Sequence, residues 1–101
     1  MTPKPRYSAK VDLNQNEIVK ALRAMGCTVT DLSAVGKGCP DILVGIFGTN
    51  ILMEIKNGKG VITPEQAIWH KDWKGQFAVV RSIAEAIEVV NSTRMQRGVK
   101  G

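Results

Sequence analysis

The chain has 101 residues, a length that suits one domain with a modest hydrophobic core, for which dimerisation would add stability. Fourteen Lys and Arg against nine Asp and Glu give a formal net charge of +5, which favours a polyanionic partner without requiring one. No apolar run reaches the roughly 18 residues of a membrane-spanning helix, and Met1–Arg6 lacks the apolar core of a signal peptide. These features exclude an integral membrane protein and predict a soluble, cytoplasmic one.

The two cysteines, Cys27 and Cys39, are isolated in the sequence. They form no Cys-x-x-Cys pair, and no histidine cluster accompanies them, so neither a zinc site nor a disulfide framework is predicted. A reduced, intracellular compartment is therefore expected.

The pattern along the chain predicts a single α/β domain over residues 12–91, between basic tails at 1–11 and 92–101. Ile18, Leu22 and Met25 recur at helical spacing and predict a first helix between Asn14 and Gly26. The later elements are strand Cys27–Ser33, loop Ala34–Pro40, strands Asp41–Phe47 and Asn50–Lys56, basic turn Asn57–Gly60, helix Thr63–Trp73, strand Phe77–Arg81 and helix Ser82–Asn91. The order αβββαβα predicts a mixed sheet flanked by helices.

The two central strands are predicted to form a β-hairpin. Gly48-Thr49 suits a two-residue type II′ turn, which would pair Phe47 with Asn50. In that register Asp41 lies across from Lys56, and strand alternation places Asp41, Glu54 and Lys56 on one face. A three-residue loop would reverse the parity and separate Asp41 from Glu54.

These three side chains suit metal-assisted phosphodiester hydrolysis. Two carboxylates can hold Mg²⁺, and a nearby ammonium can orient or help deprotonate the attacking water and offset phosphate charge. The competing interpretation is an ordinary charged pair on an exposed strand next to a turn, since Glu-x-Lys alone is very common. The conjunction with Gly38-x-Pro40-Asp41 on the partner strand favours the metal site.

Four segments carry a resemblance to a known group: Gly38-x-Pro40-Asp41, Glu54-x-Lys56, Thr63-Pro64-Glu65-Gln66 and Val79–Ala86. From about Asn14 to Val90, the chain resembles the PD-(D/E)xK nuclease superfamily, and within it the small virus-type replication-repair nucleases (VRR-NUC), which are similar to Holliday-junction resolvases.

The resemblance implies a restriction-endonuclease-like fold and a bacterial or bacteriophage source. It further implies a cation held by Asp41, Glu54 and the backbone carbonyl of Ile55, with Lys56 at the nucleophilic water. Glu17 occupies the place of a first-helix glutamate that often joins such sites. The implied products carry a 5′-phosphate and a 3′-hydroxyl.

Local structure offers a second explanation for two of the candidate residues. Glu17 lies three residues after Asn14, and Gln66 lies three after Thr63, so each could complete a capping box at a helix start. For Glu17 the two interpretations carry equal weight. For Gln66 a role at the site is favoured, as a hydrogen-bond donor to a phosphate oxygen or to the metal's water shell.

Other residues near the expected site receive more ordinary interpretations. His70, the single histidine, is expected to be a structural or surface group, and Trp69 and Trp73 to be core or interface anchors rather than base-stacking platforms. Lys37 and Lys59 lie in the loops that bracket the hairpin and are the predicted phosphate contacts.

The sequence thus predicts a Mg²⁺-dependent, structure-specific DNA endonuclease in which Mn²⁺ substitutes for Mg²⁺. We expect a homodimer that resolves four-way junctions, because two symmetric nicks need two equivalent sites. The predicted interface draws on Ile68, Trp69, Trp73, Ile83, Ile87 and Val90. Alternatives are a flap or non-specific DNA nuclease, a catalytically silent nucleic-acid-binding subunit, and a small interaction protein whose Trp-bearing helix docks a partner.

Overall fold

The computed structural model describes the backbone of residues 3–100 and the side chains of residues 14–95. The elements are α1 Pro3–Ala24, β1 Thr28–Asp31, β2 Ile42–Ile46, β3 Thr49–Ile55, α2 Pro64–Asp72, β4 Phe77–Val80 and α3 Ile83–Lys100. The predicted order αβββαβα and the mixed sheet flanked by helices are confirmed.

The two long helices extend beyond their predicted bounds. α1 begins at Pro3 and α3 continues to Lys100, so both run into segments predicted as tails. Asn14 therefore lies inside α1, and the capping box predicted for Asn14 and Glu17 is wrong, because a cap needs a helix start. Whether 12–91 is the domain boundary stays a prediction. α1 ends as expected near Gly26, whose φ of 100° requires glycine.

The sheet has the strand order β1-β2-β3-β4, with β3 and β4 parallel and the other pairs antiparallel. The hairpin register pairs Ile46 with Thr49 and Ile42 with Met53. The predicted turn is therefore wrong by one residue: the loop is Phe47-Gly48, with φ values of 53° and 73°, as in a type I′ turn. The register moves by two positions, and the parity of the strand faces is unchanged.

One face of the sheet carries the hydrophobic core. Side chains from β2 and β3 pack there against α1 and α3, which also contact each other. The fully buried members include Ile18 and Leu22 of α1, Ile42 and Val44 of β2, Ile51 and Met53 of β3, and Val90 of α3. The alternating apolar residues of the hairpin thus form the buried face of the sheet, as strand alternation predicts.

On the opposite face of the sheet lies α2. Leu52 and Glu54 point to this face. Phe77, which pairs with Leu52 in the sheet, packs its ring against those of Trp69 and His70. No residue of α2 is buried. Within the described residues, no helix is long and apolar enough to cross a lipid bilayer.

Candidate metal centre

The two carboxylates lie at the open end of the β2–β3 hairpin. Continuing the register beyond Ile42 and Met53 places Asp41 directly across from Glu54, rather than across from Lys56 as predicted. The side chains of opposite residues on one face lie about 5 Å apart at Cβ. The structure therefore brings Asp41 and Glu54 together more closely than the predicted register did.

Pro40 explains how the backbone of Ile55 becomes available to the site. In the continued register Pro40 lies across from Ile55, and proline has no N–H to donate to the ladder. The N–H of Ile55 donates to Asp41 Oδ2, at 2.8 Å. Since the N–H and C=O of one strand residue point to the same neighbour, the Ile55 carbonyl points to the Asp41 side and meets no donor from Pro40.

Gln66 joins the hairpin to α2. Its Nε2 donates to Glu54 Oε2 at 3.0 Å, and its Oε1 accepts from Lys56 Nζ at 2.7 Å. The same Oε1 accepts the backbone N–H of Thr63, whose hydroxyl accepts the N–H of Gln66, so the capping box is also present. The two interpretations of Gln66 are thus compatible, and the cap fixes the amide that holds Lys56.

Glu54 is a buried charge with incomplete compensation. It is 2% exposed, and Lys56 Nζ lies 3.7 Å from its Oε2. Burial raises the pKa of Glu54 to about 7; the charge of Asp41 adds to this rise and that of Lys56 opposes it. Its second oxygen, Oε1, is buried and has no hydrogen-bond partner among the described residues. A bare buried carboxylate oxygen is costly unless something binds it.

A hard divalent cation fits this arrangement. The available donors are oxygens, from Asp41, Glu54 and the carbonyl of Ile55, which suit Mg²⁺ or Mn²⁺ better than softer metals. Within residues 14–95, no group of three His, Cys, Asp or Glu side chains forms a ready metal cage. A cation here would therefore depend on backbone and water oxygens as well as the two carboxylates, as is usual for Mg²⁺.

Glu17 lies apart from this cluster. Its side chain is exposed on α1, and α1 packs on the core face, opposite to the face of Glu54. Among the described residues, no hydrogen bond or ion pair joins Glu17 to Asp41, Glu54 or Lys56. Its assignment to the metal remains a prediction from the resemblance alone.

His70 follows Gln66 by one helical turn and lies on the sheet side of α2. Its ring packs on Phe77, with centroids 4.2 Å apart. Burial lowers the pKa of His70, and the charge of Lys56 lowers it further, so the imidazole is neutral at physiological pH. The structural role expected for His70 agrees with this packing.

Arg81 has a role that the sequence did not indicate. Its Nη1 donates to the carbonyls of Gly58 and Gly60 at 3.0 and 2.6 Å and so holds the loop that carries Lys59. β3 and β4 are parallel, so their carboxyl ends lie at one edge of the sheet, where α/β sites usually form. This strand arrangement is the signal that could have placed Arg81 near the site.

The loop before Asp41 rests on α2. Gly38 has a φ of 84°, and a Cβ added there would lie 2.7 Å from the carbonyl oxygen of Glu65 and 3.1 Å from Trp69 Cβ. Only glycine permits both this conformation and this approach. The contact fixes the Asp41 loop against the helix that carries Gln66, while Lys37 is exposed beside it.

No protein-family model and no curated protein sequence matches the chain. A solved structure described as a "VRR_NUC domain" is similar, with a TM-score of 0.66 and 24% sequence identity. The match covers 79% of this chain and 92% of that one. The chain therefore has the fold of a VRR_NUC domain, as its sequence motifs predicted.

Proposed function

We propose that the protein is a metal-dependent nuclease that hydrolyses phosphodiester bonds in DNA. The observation that carries the proposal is the buried Glu54 with its bare Oε1, set across from Asp41 and beside a Lys56 held by Gln66. Most buried polar atoms in native proteins have a hydrogen-bond partner, so the bare Oε1 supports a bound cation at this position. The VRR_NUC fold supports the same function.

Each residue of the cluster has a distinct task in this proposal. Asp41, Glu54 and the Ile55 carbonyl would hold Mg²⁺, which supplies charge neutralisation at the phosphate and an acidified bound water. Gln66 accepts one hydrogen bond from Lys56 and thereby aims its ammonium. Lys56 orients the attacking water and offsets charge that develops on the phosphate.

The substrate side of the proposal rests on charge and symmetry. Lys37 and Lys59 flank the site on exposed loops and would contact phosphates on either side of the cleaved bond. A net charge of +5 predicts binding that weakens with salt. We further propose a homodimer acting on branched DNA, with four-way junctions as the preferred substrate because paired sites can nick two strands symmetrically.

The test is cleavage of labelled linear, flapped and four-way junction DNA by purified protein, with Mg²⁺, Mn²⁺, Ca²⁺ or EDTA. Glu54→Ala and Lys56→Ala should each lose cleavage by orders of magnitude, because both remove stabilisation made mainly in the transition state. Binding to the junction in Ca²⁺ should persist. Lys20→Ala, an exposed lysine on α1, is the matched control. Near-normal cleavage by Lys56→Ala would refute the mechanism.

A further inference from the structure

α2 exposes an apolar stripe that the proposed chemistry does not use. It includes Trp69 of α2 and Trp73, the residue that caps the end of this helix, and their rings stack with centroids 4.8 Å apart and planes inclined by 17°. Trp73 is 44% exposed and Ile68 is 64% exposed. Clustered apolar exposure of this kind is typical of a binding surface rather than of ordinary protein exterior.

The stripe forms one wall of an open pocket of about 270 Å³, here called the tryptophan pocket. Its lining residues are Lys37, Glu65, Ile68, Trp69, Asp72 and Trp73. Pockets for drug-sized ligands span about 300–1,000 Å³, so this one suits a smaller, flat group. Exposed aromatic rings are surfaces on which nucleobases stack, a role that the sequence alone did not favour for Trp69 and Trp73.

The charges around the tryptophan pocket distinguish a base from a phosphate. Glu65 and Asp72 repel a phosphate inside the pocket, but their carboxylates can accept N–H groups from the edge of a base, such as the amino group of cytosine. Lys37 lies at the pocket beside them and is exposed, so its ammonium can meet the phosphate of the same nucleotide.

The tryptophan pocket shares two supporting segments with the candidate metal centre: α2 and the loop before Asp41. Trp69 follows Gln66 by three residues, a rise of about 5 Å along the helix. Gly38, which packs on Trp69 Cβ, is three residues before Asp41. The base held in the pocket would therefore belong to a nucleotide close to the phosphate at the metal.

We propose that the tryptophan pocket binds an unpaired nucleobase next to the cleaved phosphate. The inference rests on the proposed nuclease function and deepens it, since it makes the substrate a DNA with an unstacked nucleotide at the cut, as at a branch point or flap. A base inside a regular duplex is stacked on both sides and cannot reach the indoles.

The binding test uses a short single-stranded oligo(dC) and an oligonucleotide of equal length and charge whose sugars carry no bases, both in EDTA so that no cleavage occurs. Base stacking should quench tryptophan fluorescence, and the abasic strand should bind about 5- to 100-fold more weakly. Trp73→Ala should weaken the binding of oligo(dC) by at least about fivefold. It should also remove most of the difference in affinity between oligo(dC) and the abasic strand. Ile68→Ala, on the same stripe, should change binding far less.

Two results would overturn the proposal. One is equal affinity for the abasic strand and oligo(dC). The other is unchanged oligo(dC) binding by Trp73→Ala together with conversion of a dimer to a monomer in light scattering, which would assign the stripe to a second copy of the chain. Base-dependent binding without cleavage of any DNA in Mg²⁺ would support the pocket and refute the nuclease function, so the two proposals fail separately.

Discussion

Glu54 shows how one buried residue links metal binding to stability. Its pKa in the folded protein is about 7, above the ordinary value of 4.5, so the folded state binds this proton more tightly than the unfolded chain does. Its contribution to stability is complete below about pH 4.5 and is lost as the pH rises through about 7. A bound cation would restore that loss by stabilising the charged form.

We therefore expect Glu54→Gln to raise the melting temperature of the metal-free protein at pH 8 by several degrees. The variant keeps the shape of the side chain but carries no charge to desolvate. Thermal melts in EDTA from pH 4 to pH 8 measure the effect. Added Mg²⁺ should stabilise the wild type and not the variant. Equal melting curves for the two proteins at pH 8 would contradict the electrostatic argument.

Gln66 can be tested for its two tasks separately. Gln66→Glu keeps an acceptor at the third helical position for the cap, but it cannot donate to Glu54 and adds charge beside it. We expect a loss of cleavage of at least about tenfold, together with a lower melting temperature in EDTA, because the new carboxylate lies beside the buried Glu54. Thr63→Ala removes the cap hydroxyl and should cost about 1 kcal/mol of stability, while cleavage is largely kept. The opposite ranking of the two variants in cleavage would assign Gln66 to the cap alone.

At the level of elements, the hairpin turn contains a strained residue. Phe47 has a φ of 53°, which bulky side chains adopt at a cost, and its ring is 6.0 Å from the guanidinium of Arg94. Phe47→Asn creates the Asn-Gly pair that type I′ turns prefer. We expect it to stabilise the protein by roughly 0.5 kcal/mol in urea unfolding. Arg94→Ala measures what the contact between Arg94 and the Phe47 ring contributes to stability. If Phe47→Asn lowers stability while Arg94→Ala leaves it unchanged, the turn is not strained.

The contact between the Asp41 loop and α2 can be isolated with two glycines. Gly36 and Gly38 both have positive φ, 70° and 84°, but only Gly38 touches α2. Gly36→Ala should carry the conformational cost alone, about 1 kcal/mol. Gly38→Ala should lower both stability and cleavage further, because it pushes α2, and with it Gln66, away from the loop. Matching cleavage rates for the two variants would show that this contact does not position the site.

At the scale of the whole molecule, the residues predicted to form the dimer interface do not lie on one surface. Val90 is 1% exposed and belongs to the core, so it is unavailable to a partner. The remaining residues separate between α2 and α3, which lie on opposite faces of the sheet. One two-fold interface is therefore expected to use one of these surfaces.

The outer surface of α3 is the candidate for that interface, since the tryptophan pocket is assigned to DNA. Met95 is 69% exposed and lines a groove with Ile87. We expect Met95→Glu to convert a dimer to a monomer in light scattering and to reduce junction cleavage, whereas Trp73→Ala leaves the mass unchanged. A wild-type protein that is monomeric at micromolar concentration would rule out the dimer.

Much of the fold follows from local signals in the sequence. The alternation of apolar residues in the hairpin, the helical period of Ile18 and Leu22, and the Thr63 cap each depend on neighbours a few positions away. The position of the turn was less determined, because Phe47 at positive φ is unfavourable locally and is accepted only in the context of the whole sheet. Asp41 and Glu54 still share a face, as predicted, because a shift of the hairpin register by two positions keeps strand parity.

The sequence by itself determined which side chains share a face, because alternation along a strand is a property of the backbone. Only the tertiary structure decided which atoms meet. The bonds from Gln66 to Glu54 and Lys56, the hold of Arg81 on Gly58 and Gly60, and the bare oxygen of Glu54 all join segments far apart in the chain. Such contacts depend on how α2 and β4 pack onto the hairpin, and packing is set by all the residues at once.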